Sequence, residues 1–182
     1  MSPNQTIYNK RGASNQDIRR LMDRMIPIAV DQTKSMAEDF RGTSDKDSCR
    51  KIWNFLKYKV NYKADDHNQV VKSPSALLRE KEGDCKSYAV FTSGILTNLG
   101  IDHSLVFTSY SSDPTPGHVY VVTSEGVIID AVWNKFNSEK KPKHKYIRKI
   151  RQSKGLTGID SKNIFPVAIG LGLLYFITVN KR

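Results

Sequence analysis

Apolar residues recur at helical spacing in two stretches of the N-terminal third of the chain. The first stretch follows Ser14, which has Asp17 three residues further on in the arrangement of a capping box. Pro27 lies inside the pattern and is expected to kink or divide the helix. After a break, Thr43 or Ser44 is placed to cap a second stretch. The pattern therefore predicts two amphipathic helices at the start of the fold.

Two further helices are predicted before residue 100. The Ser73-Pro74 pair is typical of an N-cap followed by proline at the first helical position, and it predicts a short helix. The next apolar run predicts a helix that begins at about Cys85 and ends near Asn98 or Leu99. Gly100 is a suitable C-terminal stop for it.

After Gly100 the apolar period changes from helical spacing to two. Residues 103–110, 118–123 and 127–132 are predicted strands, and glycine in the short turn 124–126 favours a hairpin between the last two. Helices first and an antiparallel meander afterwards indicate an α+β domain, with the N-terminal helices packed on an antiparallel sheet.

The chain divides by composition into four parts. We predict a polar N-terminal arm at 1–13, a single folded domain at 14–139, a basic linker at 140–163 and a hydrophobic C-terminal segment at 164–179. Within the folded domain, residues 61–72 show no period and are expected to form a loop.

Charge and hydropathy at the C-terminal end favour a membrane partner. The net charge is +11, and basic residues concentrate in Lys140–Lys154, directly before the uncharged run Ile164–Val179. A membrane anchor beside anionic head groups is one interpretation, although the run is short for a full span. A helix or strand packed on the domain or on another subunit is the alternative, and nucleic acid is a less favoured partner because no aromatic residues interleave the basic ones.

The cysteines and the N-terminus suggest synthesis in a reducing compartment. Two cysteines in 182 residues are too few for a disulfide framework, and the N-terminus lacks the apolar core of a signal peptide. Cys49 lies in an amphipathic helix with no histidine nearby in sequence, so we interpret it as a semi-buried structural residue.

The sequence EGDCKSYA places Cys85 at the expected start of a helix. The unpaired N–H groups of a first helical turn stabilise a thiolate and can donate to an oxyanion. Gly83 would permit close approach or an unusual dihedral angle at this turn. Position alone does not separate a nucleophile from a buried, inert cysteine, so the prediction depends on a base.

His118 and Asp130 supply a candidate base and its partner. If the hairpin closes through residues 124–126, Thr123 faces Val127, and His118 and Asp130 lie on one face as diagonal neighbours. In this hypothesis Cys85 is the nucleophile, His118 transfers its proton, and Asp130 orients the imidazole. Chance placement of two polar residues at strand ends is the alternative.

Four stretches of the chain carry a resemblance to a known family: IWNFLKYKVNY, EGDCKSYA, GHVYVV and VIIDAVW. In these stretches the chain resembles the transglutaminase-like superfamily, a papain-type group with a Cys–His–Asp triad. The similarity covers roughly residues 52–133, and Tyr120 stands where the family usually has tryptophan. The resemblance assigns no second oxyanion donor, and Tyr62 and His67 are the candidates that we consider. No cofactor or metal is expected.

The resemblance implies chemistry on amides through an acyl-thioester. We expect an amide hydrolase acting on protein or peptidoglycan peptide, in keeping with a lytic or maturation role in a bacterium or phage. The alternatives are a crosslinking acyl transferase and a catalytically silent structural or assembly protein.

Other polar residues give weaker indications. The Asp65, Asp66 and His67 run is more typical of a solvated loop than of a metal site, because no second ligand pair stands at suitable spacing. We interpret His103 and His144 as surface residues rather than as ligands.

Overall fold

The computed structural model describes residues 7–65 and 68–150. The helices of these residues comprise α1 (Asn15–Thr33), a short 3-10 helix (Ala37–Phe40), α2 (Asp45–Lys59), α3 (Pro74–Glu80) and α4 (Cys85–Asn98). The strands comprise β1 (Ile7–Arg11), β2 (Asn61–Tyr62), β3 (Asn68–Lys72), β4 (Glu82–Gly83), β5 (His103–Ser109), β6 (His118–Thr123), β7 (Ile128–Ile129) and β8 (His144–Ile150). The predicted α+β class is confirmed.

The four predicted helices are present with their caps. Ser14 and Asp17 form the capping box of α1, and Ser44 and Ser73 accept hydrogen bonds from the first turns of α2 and α3. Helix α1 runs through Pro27 without interruption, so the proline does not divide it. The close packing of α1 on α4 stabilises the helix despite the missing backbone donor.

Helix α4 is the centre of the core. Every residue from 85 to 96 is buried, so the helix has no solvent face. One side contacts α1 so closely that a Cβ atom on Gly94 would lie 2.8 Å from the Ala29 carbonyl oxygen. Another side contacts β6, which brings the start of α4 beside the strand that opens with His118.

The main sheet is antiparallel, with strand order β7-β6-β5-β8. Strand β6 pairs with β5, with Thr108 opposite His118 and His103 opposite Thr123. Strand β7 covers only two residues of the predicted 127–132 strand, because the chain leaves the ladder before Asp130.

Three segments expected to be irregular contain strands. Strand β1 lies in the predicted arm 1–13 and pairs with β3, which lies with β2 in the predicted loop 61–72. Strand β8 lies in the predicted linker 140–163 and pairs with β5 along its whole length. These predictions were wrong because such short or basic strands carry no alternating pattern and form through partners distant in sequence.

Within the described residues, no helix is long and apolar enough to cross a membrane. The predicted hydrophobic segment Ile164–Val179 and the end of the basic run, residues 151–154, lie outside the described residues.

Candidate active site

Cys85 is the first residue of α4, and Asp84 caps this helix. The Asp84 carboxylate accepts hydrogen bonds from the Ser87 backbone N–H at 3.1 Å and from the Ser87 hydroxyl at 3.0 Å. Because the first N–H groups of a helix have no intrahelical acceptors, the sulfur of Cys85 lies where a thiolate is stabilised and an oxyanion can be bound.

Gly83 lets the chain pass close to its neighbours directly before the cysteine. A Cβ atom here would lie 2.4 Å from Cδ1 of the buried Leu77 and 3.2 Å from Cβ of Ser87. Gly83 is not among the described glycines with positive φ. Of the two reasons that the sequence suggested for this glycine, close approach is confirmed and an unusual dihedral angle is wrong.

His118 begins β6, and Asp130 directly follows β7. The two strands pair Val121 with Ile129, which is the register predicted from a three-residue loop. In this register His118 Nε2 lies 2.7 Å from Asp130 Oδ2, and both side chains are buried. The hairpin therefore brings the imidazole and the carboxylate into hydrogen-bond contact, as the strand pattern predicted.

The Cys85 side chain lies beside the His118 ring, and both residues line one cavity. Because Nε2 is engaged with Asp130, Nδ1 is the nitrogen left for the sulfur. Burial lowers the pKa of His118, but the hydrogen bond to Asp130, the interaction with Cys85 and the charge of Asp130 outweigh burial and raise the pKa to about 10. The imidazole therefore keeps its proton at neutral pH.

Asp130 is fixed by two further contacts. The indole Nε1 of Trp53, on α2, donates to the Asp130 carbonyl oxygen at 2.9 Å. The Val132 backbone N–H donates to Asp130 Oδ1 at 3.2 Å, which leaves Oδ2 for the histidine. The carboxylate is thus held in one orientation toward the His118 ring.

Three aromatic rings surround the imidazole. Tyr110, Tyr120 and Trp133 each have ring centroids about 6.0 Å from that of His118. Tyr120, at the position where the family usually has tryptophan, donates its hydroxyl hydrogen to Glu139. The aromatic rings limit access of water to the His118–Asp130 pair and strengthen its electrostatic interaction.

Lys86 is a site residue that the sequence analysis missed. Its side chain is buried beside Cys85 and forms ion pairs with Asp84 and, at 3.1 Å, with Asp65. Burial alone would lower the pKa of Lys86, but the charges of Asp84 and the Cys85 thiolate raise it, so the ammonium stays charged. A lysine in the first turn of a helix is an available signal, since the helix dipole disfavours a cation there without a partner.

A cavity of about 320 Å³ opens onto Cys85. Both Cys85 and His118 line it, although each is only 8% exposed. Arg19 from α1 and Phe107 from β5 form part of the wall. A substrate can therefore reach the sulfur from this side, and nothing in the sequence pattern had indicated Arg19.

Tyr62 lies close to the start of α4. The parallel pairing of β2 with β4 places Tyr62 opposite Gly83, and its ring packs edge-on against Tyr88 at 5.9 Å. Burial raises the pKa of Tyr62, with further contributions from the negative charges of Cys85, Asp84 and Asp130, so the phenol stays protonated. It is the donor candidate that the described structure keeps near Cys85, because His67 lies outside the described residues.

Two residues outside the site have structural roles. Cys49 is fully buried, and burial together with the charge of Asp45 raises its pKa to about 12. His103 is buried rather than on the surface: its Nε2 lies 2.7 Å from the Ser93 hydroxyl and its Nδ1 lies 2.9 Å from the Ile101 carbonyl oxygen. The surface interpretation of His103 was wrong because β5 is covered on the side that this residue faces.

The described residues offer the parts of an acyl-transfer site: a sulfur nucleophile, a proton donor with an orienting carboxylate, and free backbone N–H groups beside an open cavity. They contain no group of three histidine, cysteine or acidic side chains that could hold a metal ion.

Sequence comparisons identify related proteins. A family model described as a transglutaminase-like domain matches residues 31–131, more than half of the chain, and this range includes Cys85, His118 and Asp130. UPF0252 protein PH0672 of Pyrococcus horikoshii is 30% identical over 104 residues, which is 54% of this chain. The match spans about a third (32%) of the length of that relative.

Two solved structures are partly similar in shape. LapG of Legionella pneumophila, in an EGTA-treated form, has 17% identity and a TM-score of 0.47, with 81% of this chain and 95% of LapG covered. A candidate cysteine protease of Cytophaga hutchinsonii has 16% identity and a TM-score of 0.42, with 59% and 42% covered. Both TM-scores lie below 0.5, so family membership rests on the sequence comparisons.

Proposed function

This chain belongs to the transglutaminase-like domain family, and on that premise we propose that it is a cysteine-dependent amide hydrolase. In the proposal, Cys85, His118 and Asp130 form the catalytic triad. The supporting observation is that Cys85, at the start of α4, and His118, which is hydrogen-bonded to the buried Asp130 carboxylate, line the same cavity.

Acylation begins from the thiolate–imidazolium pair. The Cys85 sulfur attacks the amide carbonyl carbon, and the negative charge moves to the carbonyl oxygen, which the first N–H groups of α4 bind. His118 then gives its Nδ1 proton to the leaving nitrogen as the C–N bond breaks. The products of this half-reaction are a free amine and an acyl-thioester on Cys85.

Deacylation reverses the proton movement. The neutral His118 takes a proton from water, and the hydroxide adds to the thioester carbonyl carbon. The C–S bond breaks, the acid leaves, and the thiolate–imidazolium pair is restored. Asp130 keeps Nε2 protonated throughout, so that Nδ1 always faces the sulfur.

We assign Tyr62 as the second oxyanion donor. The β2–β4 pairing that holds it opposite Gly83 and its protonated phenol support the assignment. A neutral hydroxyl donates to an oxyanion without adding a charge to the resting site.

Selective alkylation of Cys85 tests the proposal. With iodoacetamide at about neutral pH, we expect Cys85 to react much faster than Cys49, which is fully buried and has its pKa raised to about 12. The substitution His118→Ala should remove the selectivity. If Cys85 in the folded wild type reacts no faster than a free thiol peptide, the proposed activity is wrong.

The acyl acceptor needs a separate measurement. Incubation with casein and a labelled primary amine should release peptides if water resolves the thioester, and should incorporate the amine if the chain is a transferase. A reactive Cys85 with neither product after exposure to casein and to peptidoglycan peptides would favour the silent structural alternative.

The proposal includes attachment to an anionic membrane through Lys140–Lys154 and Ile164–Val179. Within the described part of this region, Lys141, Lys143 and Lys149 are exposed, which is compatible with contact to head groups. Flotation of the full chain with vesicles should show binding to phosphatidylglycerol-containing vesicles, and replacing these three lysines by glutamine should weaken it. Equal flotation with pure phosphatidylcholine vesicles would contradict the proposal that the lysines bind anionic head groups.

A further inference from the structure

The cavity beside Cys85 is lined without a carboxylate. None of its described lining residues is aspartate or glutamate, whereas Arg19, Lys86 and His118 all contribute to its wall. A substrate in this cavity therefore meets cationic and neutral groups together with the nucleophile itself.

Two of the three cations are already balanced. Lys86 pairs with Asp84 and Asp65, and His118 lies between Asp130 and Cys85. These contacts use both positive charges within the protein, so neither lysine nor histidine is available for a substrate anion.

Arg19 is different. Its guanidinium lies over the Phe107 ring at 5.1 Å and over the Tyr146 ring at 5.2 Å, and it has no carboxylate partner among the described residues. Its Nε atom is buried and has no hydrogen-bond acceptor there. A buried N–H without an acceptor is destabilising, and the ring contacts hold the guanidinium in place instead of letting it extend into solvent.

We propose that Arg19 binds a carboxylate of the substrate close to the scissile amide, so that the preferred substrates are acidic peptides. This inference rests on the proposed function, because the same cavity must deliver the amide to Cys85. A carboxylate in the cavity would accept charge-assisted hydrogen bonds from the Nη groups of the guanidinium, which has no carboxylate partner among the described residues. The ring stacking pre-organises the guanidinium for that contact.

The test uses aza-peptide Michael acceptors, which extend on both sides of the reactive carbon. The Cys85 sulfur adds to the electron-poor alkene carbon, and His118 gives its proton to the neighbouring carbon, so that no further reactant is needed. Matched probes carry glutamate or glutamine at one position adjacent to the alkene, on either the acyl side or the leaving-group side. The ratio of second-order rates for each Glu/Gln pair reports recognition of the carboxylate and cancels changes in the intrinsic reactivity of Cys85.

In the wild type we expect the glutamate probe to react about 10- to 100-fold faster at one of the two positions. The substitution Arg19→Gln should bring that ratio close to one, and Arg19→Lys should restore part of it. Arg20→Gln is the matched control, because Arg20 is the next residue, is exposed and does not line the cavity, so it should keep the wild-type ratio.

Ionic strength gives a second measurement that needs no variant. Raising it from about 0.05 M to about 0.5 M should lower the wild-type Glu/Gln ratio, since partly exposed charges are screened. A wild-type ratio near one at both positions, or a ratio that Arg19→Gln leaves unchanged, would overturn the inference about Arg19. Failure of every probe to label Cys85 would instead contradict the proposed function, so the two failures are distinct.

A probe with a free terminal carboxylate, compared with its amide, distinguishes the source of the anion. A rate gain with the terminal acid and none with glutamate would overturn the inference of acidic side-chain recognition and indicate that the cavity binds the chain end of a peptide. A rate gain with the internal glutamate probe would show that Arg19 recognises an acidic side chain.

Discussion

The substitution Asp130→Asn removes one charge from the site and almost no volume. Asp130 Oδ2 lies 2.7 Å from His118 Nε2, and Oδ1 accepts from the Val132 N–H at 3.2 Å. If the asparagine keeps its oxygen toward Val132, its NH₂ group faces Nε2. Nε2 must then act as an acceptor, the proton moves to Nδ1, and a neutral imidazole can no longer accept a proton from Cys85.

The expected magnitude follows from the electrostatics of the buried pair. The pKa of His118 is raised to about 10 against burial, and Asp130 contributes both a hydrogen bond and a charge to this increase. An opposite charge at such a distance moves a pKa by about one to three units, and each unit corresponds to about 1.4 kcal/mol. Without that charge, the thiolate–imidazolium pair should be about 10- to 1000-fold less populated near pH 6.

The assay is the rate of Cys85 alkylation by iodoacetamide from about pH 5 to about pH 10, followed by peptide mass spectrometry. Near pH 6 the wild type should react about 100-fold faster than Asp130→Asn, and the difference should narrow as free thiols ionise at alkaline pH. Cys49 serves as an internal reference for unfolding, because it is buried completely. Asp102→Asn is the control, since Asp102 is exposed and precedes β5. Equal rates for both proteins near pH 6 would refute the role given to Asp130.

Three further outcomes are expected. Tyr62→Phe should lower kcat by about 10- to 1000-fold in a peptide-release assay, with a smaller effect on KM, because the lost donor acts in the transition state. An unchanged kcat would show that Tyr62 is not an oxyanion donor. Gly94→Ala should lower the free energy of unfolding in denaturant by about 1–3 kcal/mol, because its Cβ would lie 2.8 Å from the Ala29 carbonyl oxygen. Gly117→Ala is the control: no atom lies within 4 Å of its Cβ, so its free energy of unfolding should stay within about 0.5 kcal/mol of the wild type. Because folding raises the pKa of His118 from 6.5 to about 10, its contribution to stability is fully present below about pH 6.5 and is lost as the pH rises through about 10. The Tm of the wild type should consequently fall more steeply between about pH 8 and about pH 10.5 than that of His118→Gln, and parallel curves would contradict the assignment.

The triad candidates could be found from sequence because their geometry is set locally. A helix that begins at about Cys85 follows from the apolar period, and the structure has it, with Asp84 as its cap. A three-residue hairpin turn fixes which residues of two adjacent strands share a face, so the contact between His118 and Asp130 needed no knowledge of the rest of the chain. The family comparison covers the same region but leaves the catalytic roles as a proposal.

The surroundings of these residues could not be found in that way. Trp53 reaches Asp130 across 77 residues of sequence, and the short strands β1 and β2 pair with strands more than 20 residues away. A hydrogen bond between distant segments does not change the hydrophobic pattern of either segment, so it cannot be predicted from that pattern. The same holds for His103, whose burial depends on what covers β5 and not on its neighbours in the chain.

Local propensity and short turns therefore specify the helices, the hairpin register and the position of the Cys85 sulfur at the start of α4. The charges that meet at that sulfur depend on contacts between segments that are far apart in the chain. Lys86 is balanced by Asp84 and Asp65, whereas Arg19 lines the cavity without a described carboxylate partner, and this difference arises from the packing of α1 and β5 around the open end of α4. Electrostatic interactions depend on distance in space, which the order of residues along the chain does not give.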